Sequence, residues 1–228
     1  MFPPPISRMP TDFALLTLVK YPEPGKVKTR LAVALGEQLA CDLYHFFVLA
    51  TLEKNKQLPE AAHYVAFTPA ERRRDFQNMF ADDSFWFPQI ASADLGQRIH
   101  HAVKTVLARG HRGVLTLGSD SPSLPVQYLR EAVRALREYD LVLGPAEDGG
   151  YYLIGLKSTP VALFENIAWS TCQVFAQTRA AAQGLGLSVS ILPEWYDVDE
   201  ETTLRKYCQT EVLPQPLAME LQPFLRQR

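Results

Sequence analysis

Cysteine is scarce in this chain, and the three present are ill placed for chemistry. Cys41, Cys172 and Cys208 are odd in number and far apart, with no C-x-x-C pair and no histidine pattern beside them. That excludes a disulfide framework and a zinc site, and it fits a reducing cytosol, where we place the protein. Long apolar runs are missing too. No stretch approaches the roughly 18 apolar residues of a membrane span, and the opening MFPPPISRMP puts prolines where a secretion signal needs an apolar helix. Residues 1–11 are read as a flexible leader and 12–228 as one domain. An excess of either charge is also lacking. With 23 Lys and Arg against 25 Asp and Glu the net charge is -2, so neither nucleic acid nor a membrane is expected as a partner. Finally, the chain has no G-x-x-x-x-G-K-[ST] phosphate loop.

What is present is ordinary for a soluble globular protein, 47% hydrophobic and 21% charged over 228 residues, enough for one large α/β domain. The stretch most worth attention is VLTLGSDSPSLP, residues 114–125. Val114, Leu115 and Leu117 read as a buried strand that ends at a lone carboxylate, Asp120, between Ser119 and Ser121. Ligands of open α/β sheets sit beyond the carboxyl ends of the strands, so Asp120 is placed to face a metal or a phosphate there, with Ser119 as a neighbouring contact. The competing reading is local: Asp120, Ser121 or Ser123 turns the chain and caps the helix expected from Pro125.

Ahead of it, FALLTLV (13–19) is a strand that empties into KYPEPGKVKTRL, a loop with Lys20, Lys26, Lys28 and Arg30, and a helix is expected from Thr29. Cations beside a helix start can hold nucleotide phosphates, although a solvated basic loop reads the same way. A helix follows from Glu37 to about Leu52, a strand at 63–67, a charged helix at 69–80 and a short strand at 85–87. Asp94 is a candidate N-cap for the next helix, with Arg98 one turn in as a candidate phosphate contact. Adjacent His100 and His101 point apart and do not make a metal pair. Beyond the helix at 125–138 and the strand DLVLG (140–144), Asp148 precedes two glycines and Tyr151 resumes an extended run. D-G-G makes a hairpin turn, but the preceding Pro145 favours a loop crossing the carboxyl edge of the sheet. A short helix is expected at 160–167, with W-S-T at 169–171 as the N-cap of the next. Leu187–Leu192 is the last strand. After it, Asp197 and Asp199 flank Val198; in an extended D-V-D both carboxylates face one side, as a divalent cation requires, unless either caps the following helix. The proline-punctuated tail is expected to pack along the surface and offers a contact for a homodimer.

Six ordered motifs carry a resemblance: K-x-P-x-P-G-x-V-K-T-R-L at 20–31, D-L-G-x-R at 94–98, G-S-D-S-P at 118–122, G-P-A-E-D-G-G-Y-Y-L-I-G at 144–155, W-S-T at 169–171 and D-V-D at 197–199. Together they resemble the bacterial radical-SAM/selenodomain-associated transferase family, within the glycosyltransferase-A-like, or nucleotide-diphospho-sugar transferase, superfamily. The opening motif has a looser similarity to phospholactate guanylyltransferase. The resemblance implies a three-layer α/β/α sandwich with a mixed, mostly parallel sheet, and a nucleotide over the strand ends with Mg or Mn on its phosphates. It makes Asp120, Asp199 and, less directly, Asp197 the metal ligands. Lys28 and Arg30 become the catalytic cations beside the phosphates; Lys20, Arg98 and Ser119 stay candidate nucleotide contacts on the reading of the residues above, not on the resemblance. Asp148 joins the catalytic candidates and Tyr151 the cofactor contacts through the DGGY signature, to which the resemblance attaches no role. The function implied is metal-dependent nucleotidyl transfer from a nucleoside triphosphate to a small acceptor. Glycosyl transfer from a nucleotide-sugar is the alternative, and non-catalytic nucleotide binding a second. The Gly-rich L-A-A-G-x-G-x-R loop of the sugar nucleotidyltransferases is replaced here by a Pro-rich, basic one.

Overall fold

In the computed structural model, residues 11–80, 83–92 and 94–226 are described. The expected leader lies outside them except for Thr11, whose hydroxyl donates to Phe13 O at 2.9 Å and whose carbonyl accepts from His111 Nδ1 at 2.7 Å.

The apolar runs become seven strands: β1 (Phe13–Lys20), β2 (Ala61–Thr68), β3 (Phe85–Pro88), β4 (Gly113–Leu117), β5 (Leu141–Pro145), β6 (Tyr151–Leu156) and β7 (Val189–Ile191). They form one sheet in the order β3-β2-β1-β4-β6-β5-β7. All neighbours are parallel except β6, which runs antiparallel to both β4 and β5. The strands lack polar alternation because both faces are covered: all five residues of β4 and seven of the eight in β1 are inside or nearly so.

The helices are α1 (Thr29–Leu35), α2 (Glu37–Asn55), α3 (Arg73–Met79), α4 (Leu95–Leu107), α5 (Val126–Glu138), α6 (Val174–Gly184), α7 (Glu201–Thr210) and α8 (Gln215–Arg226). The alternation of side chains along β1 sorts them into layers. Ala14 and Leu16 face a cluster built from α4 and α6, with Ile99, Val103 and Ala182. Phe13 and Leu15 face α5, through Leu129, Val133 and Leu136, and Val19 on the same side meets α2 and α3 through Val48 and Phe76. The expected three-layer sandwich with a mixed sheet is therefore observed.

Several local expectations are corrected. The 160–167 helix shrinks to a 3-10 turn at Val161–Leu163. α6 starts at Val174, and Thr171 does not cap it; its hydroxyl accepts from Gln173 N and donates to Ala168 O, shaping the turn before the helix. Neither Asp197 nor Asp199 caps α7, whose N-cap is Glu200 in a reciprocal pair with Thr203. The proline-punctuated tail does pack along the surface, but as a helix. It forms α8, with Pro223 inside it, and buries Leu221 and Phe224 against Leu31 of α1 and Leu43 and Phe47 of α2. The D-G-G segment is a hairpin after all: Ala146 N donates to Gly150 O at 3.1 Å, and β5 pairs directly with β6. Because β6 is antiparallel, this hairpin still lies at the edge where the parallel strands end.

Candidate functional site

The carboxyl ends of β1 and β4 are neighbours, so the loops leaving them share one crevice. From β1 the chain passes Gly25, at φ +74°, and reaches Lys28, which sits in the left-handed region at φ 46°, ψ 44° immediately before α1. That conformation is uncommon for a residue with a side chain. Here it turns Lys28 inward while Arg30 stays outside. The Lys28 side chain is 2% exposed, whereas those of Asp120 and Asp199 are 46% and 40% exposed. From β4 the chain delivers Asp120, and Val198 N donates to Asp120 O at 2.8 Å. The D-V-D segment is thus laid extended alongside it: Val198 is fully buried, and Asp197 and Asp199 both reach the cavity wall.

The electrostatics follow from this placement. Lys28 Nζ donates to Asp199 Oδ1 at 2.6 Å and to Asp120 Oδ1 at shorter range, and lies 5.6 Å from the centre of the Phe47 ring. Burial alone lowers a lysine pKa, but the two carboxylates outweigh it and hold Lys28 well above the usual range. Asp197 accepts a hydrogen bond from Ser121 Oγ. Burial, reinforced by the negative charge of Asp120, pushes Asp197 up to about 7. Arg30 pairs with Glu200 at 3.2 Å in the open.

These groups line a cavity of about 550 Å³ together with Asp148, Gly150, Tyr151, Trp169 and Cys172. Lys28, Arg30, Asp120, Asp148, Tyr151, Asp197 and Asp199 all contribute to its wall. Three other sequence candidates lie outside it. Lys20 Nζ folds back onto Lys26 O at 2.6 Å. Arg98 reaches Gln89 Oε1 at 3.4 Å. Ser119 is buried and bonded to Tyr44, whose hydroxyl pKa is pushed up to about 12 by burial and by the charge of Asp120. Asp148 spends Oδ1 on Gly150 N at 2.8 Å, closing the hairpin. Among the described residues the buried Tyr151 hydroxyl has no hydrogen-bond partner, and burial raises its pKa.

Sequence reasoning did not find how the other motifs join. Trp169 packs against Gly96, where an added Cβ would be 2.6 Å from the indole, and edge-on to Tyr151 at 6.5 Å between ring centres. Gly149, at φ +86°, lets the Cys172 carbonyl approach to where a Cβ would be 2.2 Å away, and Gly149 O accepts from Phe175 N. D-L-G-x-R, D-G-G-Y and W-S-T therefore form one clasp that lines the same cavity as Lys28. Only the conformational meaning of the glycines could have hinted at it. A second cavity, of about 600 Å³, adjoins across Trp169 and carries Asp94, His100, His101 and Glu165.

Asp120, Asp197 and Asp199 are hard oxygen ligands suited to Mg or Mn. Among the described residues no group of three or more His, Cys, Asp or Glu is gathered tightly enough to hold an ion as it stands. Asp120 and Asp199 nevertheless converge on one positive charge, the Lys28 ammonium, which stands in for a cation. The donor set fits the metal.

Among the described residues no helix is long and apolar enough to cross a membrane. No curated protein matches the chain. A crystal structure of a protein from Desulfovibrio desulfuricans G20, provisionally assigned as a nucleotide-diphospho-sugar transferase, is 33% identical, covering 95% of this chain and 98% of that one at a TM-score of 0.86. CMP:2-keto-3-deoxy-manno-octonic acid synthetase complexed with CTP is 10% identical, covering 93% and 99% at 0.56. The manganese complex of Rv0371c from Mycobacterium tuberculosis H37Rv is 13% identical, covering 88% and 100% at 0.54. The last two speak for the fold alone: this is a nucleotide-diphospho-sugar transferase-like sandwich. Residues 51–171 match the family described as "Uncharacterized protein conserved in bacteria" (DUF2064), and with more than half of its length matched, the chain belongs to that family.

Proposed function

We propose that this protein is a divalent-metal-dependent transferase that uses a nucleotide, transferring the nucleotidyl group of a nucleoside triphosphate to a small acceptor. The observation that carries the reading is the gathering of Asp120, Asp197, Asp199 and a buried Lys28 in one cavity at the carboxyl edge of the sheet. A site with both cations and hard carboxylates suits a polyphosphate that arrives with its metal. A metal bound by Asp120, Asp199 and Asp197 would neutralise charge on the phosphates. Lys28 would meet phosphate oxygens from beneath and Arg30 from the rim. An acceptor oxygen attacks the α-phosphorus, the bond from that phosphorus to the bridging oxygen breaks, and pyrophosphate leaves with the electron pair. Positioning and preorganised charge supply most of the rate. The Trp169 wall and the adjoining cavity give an acceptor a place to sit.

Two measurements test this together. Thermal unfolding with nucleoside triphosphates or nucleotide-sugars, each with and without Mn, is expected to shift only when triphosphate and metal are both present. Saturation at a hundredfold over Kd adds about 2.7 kcal/mol, or roughly 5–10 °C for a chain of this size. Pyrophosphate release in the presence of acceptors is expected to fall by about 10²–10³ in Asp120→Ala, the loss typical for removal of one preorganised charge-stabilising group. A metal-dependent shift with nucleotide-sugars alone would replace nucleotidyl by glycosyl transfer. Binding without turnover would leave a nucleotide-binding protein, and unaltered turnover in Asp120→Ala would refute the site.

A further inference from the structure

The position between Asp120 and Asp199 is already held by a cation that belongs to the chain. Lys28 comes from beneath, through a left-handed backbone turn, with its side chain almost wholly enclosed and its ammonium near the Phe47 ring. It takes one oxygen from each carboxylate. The two acids keep close to half of their surface towards the cavity, so the lysine occupies the floor and the ligand side stays open. We infer that Lys28 is a tethered counter-cation that keeps free divalent metal out of the Asp120–Asp199 pair, so that the site takes its metal only as a metal–nucleotide complex. This rests on the metal-dependent reading above and adds the order in which its ligands enter.

The argument is one of charge and donors. A free metal ion must share two carboxylates with an ammonium in contact with both, and repulsion between cations a few ångströms apart in a partly buried site is strong. Asp197, the third acid, already spends Oδ1 on the Ser121 hydroxyl. A nucleotide changes both sides of the balance. Its phosphates bring oxygen ligands to the metal, and they offer Lys28 negative partners that compensate for those it must share. The left-handed turn keeps the ammonium near the acids in either state, so the exchange needs side-chain movement alone.

Equilibrium dialysis that counts bound Mn and bound nucleotide separately tests this on the intact protein. The wild type is expected to bind Mn alone at least tenfold more weakly than Lys28→Met does, and to take up Mn and a non-hydrolysable triphosphate analogue in equal amounts. Mn alone is expected to raise the unfolding temperature of Lys28→Met and leave that of the wild type unchanged. If Lys28→Met does not fold, the wild-type pair of measurements still decides. Tight one-site binding of Mn by the wild type without nucleotide, abolished by Asp120→Asn, overturns the inference and leaves the metal-dependent function standing. No Mn uptake by the wild type with or without the analogue overturns both.

Discussion

Lys54 is a second enclosed cation close to the site. It extends from α2 and donates its ammonium to Pro122 O, two residues beyond Asp120. Burial pulls its pKa down from 10.5 to about 8, against a partial pull upward from Glu211. In the pH window between those values the unfolded chain binds more protons than the folded one, so the stability of the wild type rises with pH there. Lys54→Met has no such group. The stability of the wild type relative to Lys54→Met is therefore expected to be flat below about pH 8 and to climb from there towards 10.5, as read by urea unfolding across that range. At this same scale the sequence is least informative. Lys20, Lys26, Lys28 and Arg30 look alike in the chain, yet only Lys28 goes inside. Which cation turns inward is decided by one left-handed residue and by acids 92 and 171 positions away, and no local pattern encodes that. The acids were easier to see, because a carboxylate just past an apolar strand and a D-V-D alternation each have a geometric consequence legible from spacing.

At the scale of elements, the clasp makes a clear prediction. Gly149 has a positive φ, and a methyl group there would collide with the backbone carbonyl of Cys172, which cannot swing aside as a flexible side chain can. Gly149→Ala is expected to cost more than about 1 kcal/mol and to lower Tm by several degrees. Gly184→Ala, at the end of α6 with open space around it, should leave Tm unchanged or slightly raised. Differential scanning calorimetry of the two variants checks the contrast. Element existence was legible almost throughout, since buried strands and amphipathic helices announce themselves by run length and period. Connections were less so. The hairpin at Asp148 was read as a crossing loop because strand direction is a property of pairing, and the D-G-G tripeptide is compatible with either path. The tail lies along the surface as expected, but its prolines hide that it is helical, and the spacing of Leu217, Leu221 and Phe224 reveals an inner face only once α1 and α2 are there to receive it.

Over the whole molecule, the site is assembled from the full length of the chain: Lys28 near one end, Asp120 in the middle, Asp199 near the other. What holds those distant parts in register is the apolar cluster in which Leu221 and Phe224 of α8 meet Leu31, Phe47, Tyr196 and Val198. Arg205 of α7 fixes the same corner, donating to Phe224 O at 3.0 Å and Leu225 O at 3.2 Å. Phe224→Ala is expected to destabilise the protein by about 3 kcal/mol, the lower end for a buried phenylalanine, and, on the function proposed above, to weaken binding of a metal–nucleotide complex at temperatures where the variant is still folded. Calorimetry and dialysis on the same sample measure both. The architecture itself was foreseeable from the alternation of strands and helices, whereas the dependence of the centre on the tail was not, because it arises from packing between segments almost two hundred residues apart.

That dependence has a consequence for synthesis. As the chain leaves the ribosome, β7 emerges ahead of α8, so the strands described above are free to pair first. Yet the corner that steadies Lys28 and Asp199 is incomplete until translation has passed Phe224 and those residues have cleared the exit tunnel. The order of synthesis therefore puts the strands of the sheet ahead of the helix that completes the corner behind Lys28 and Asp199.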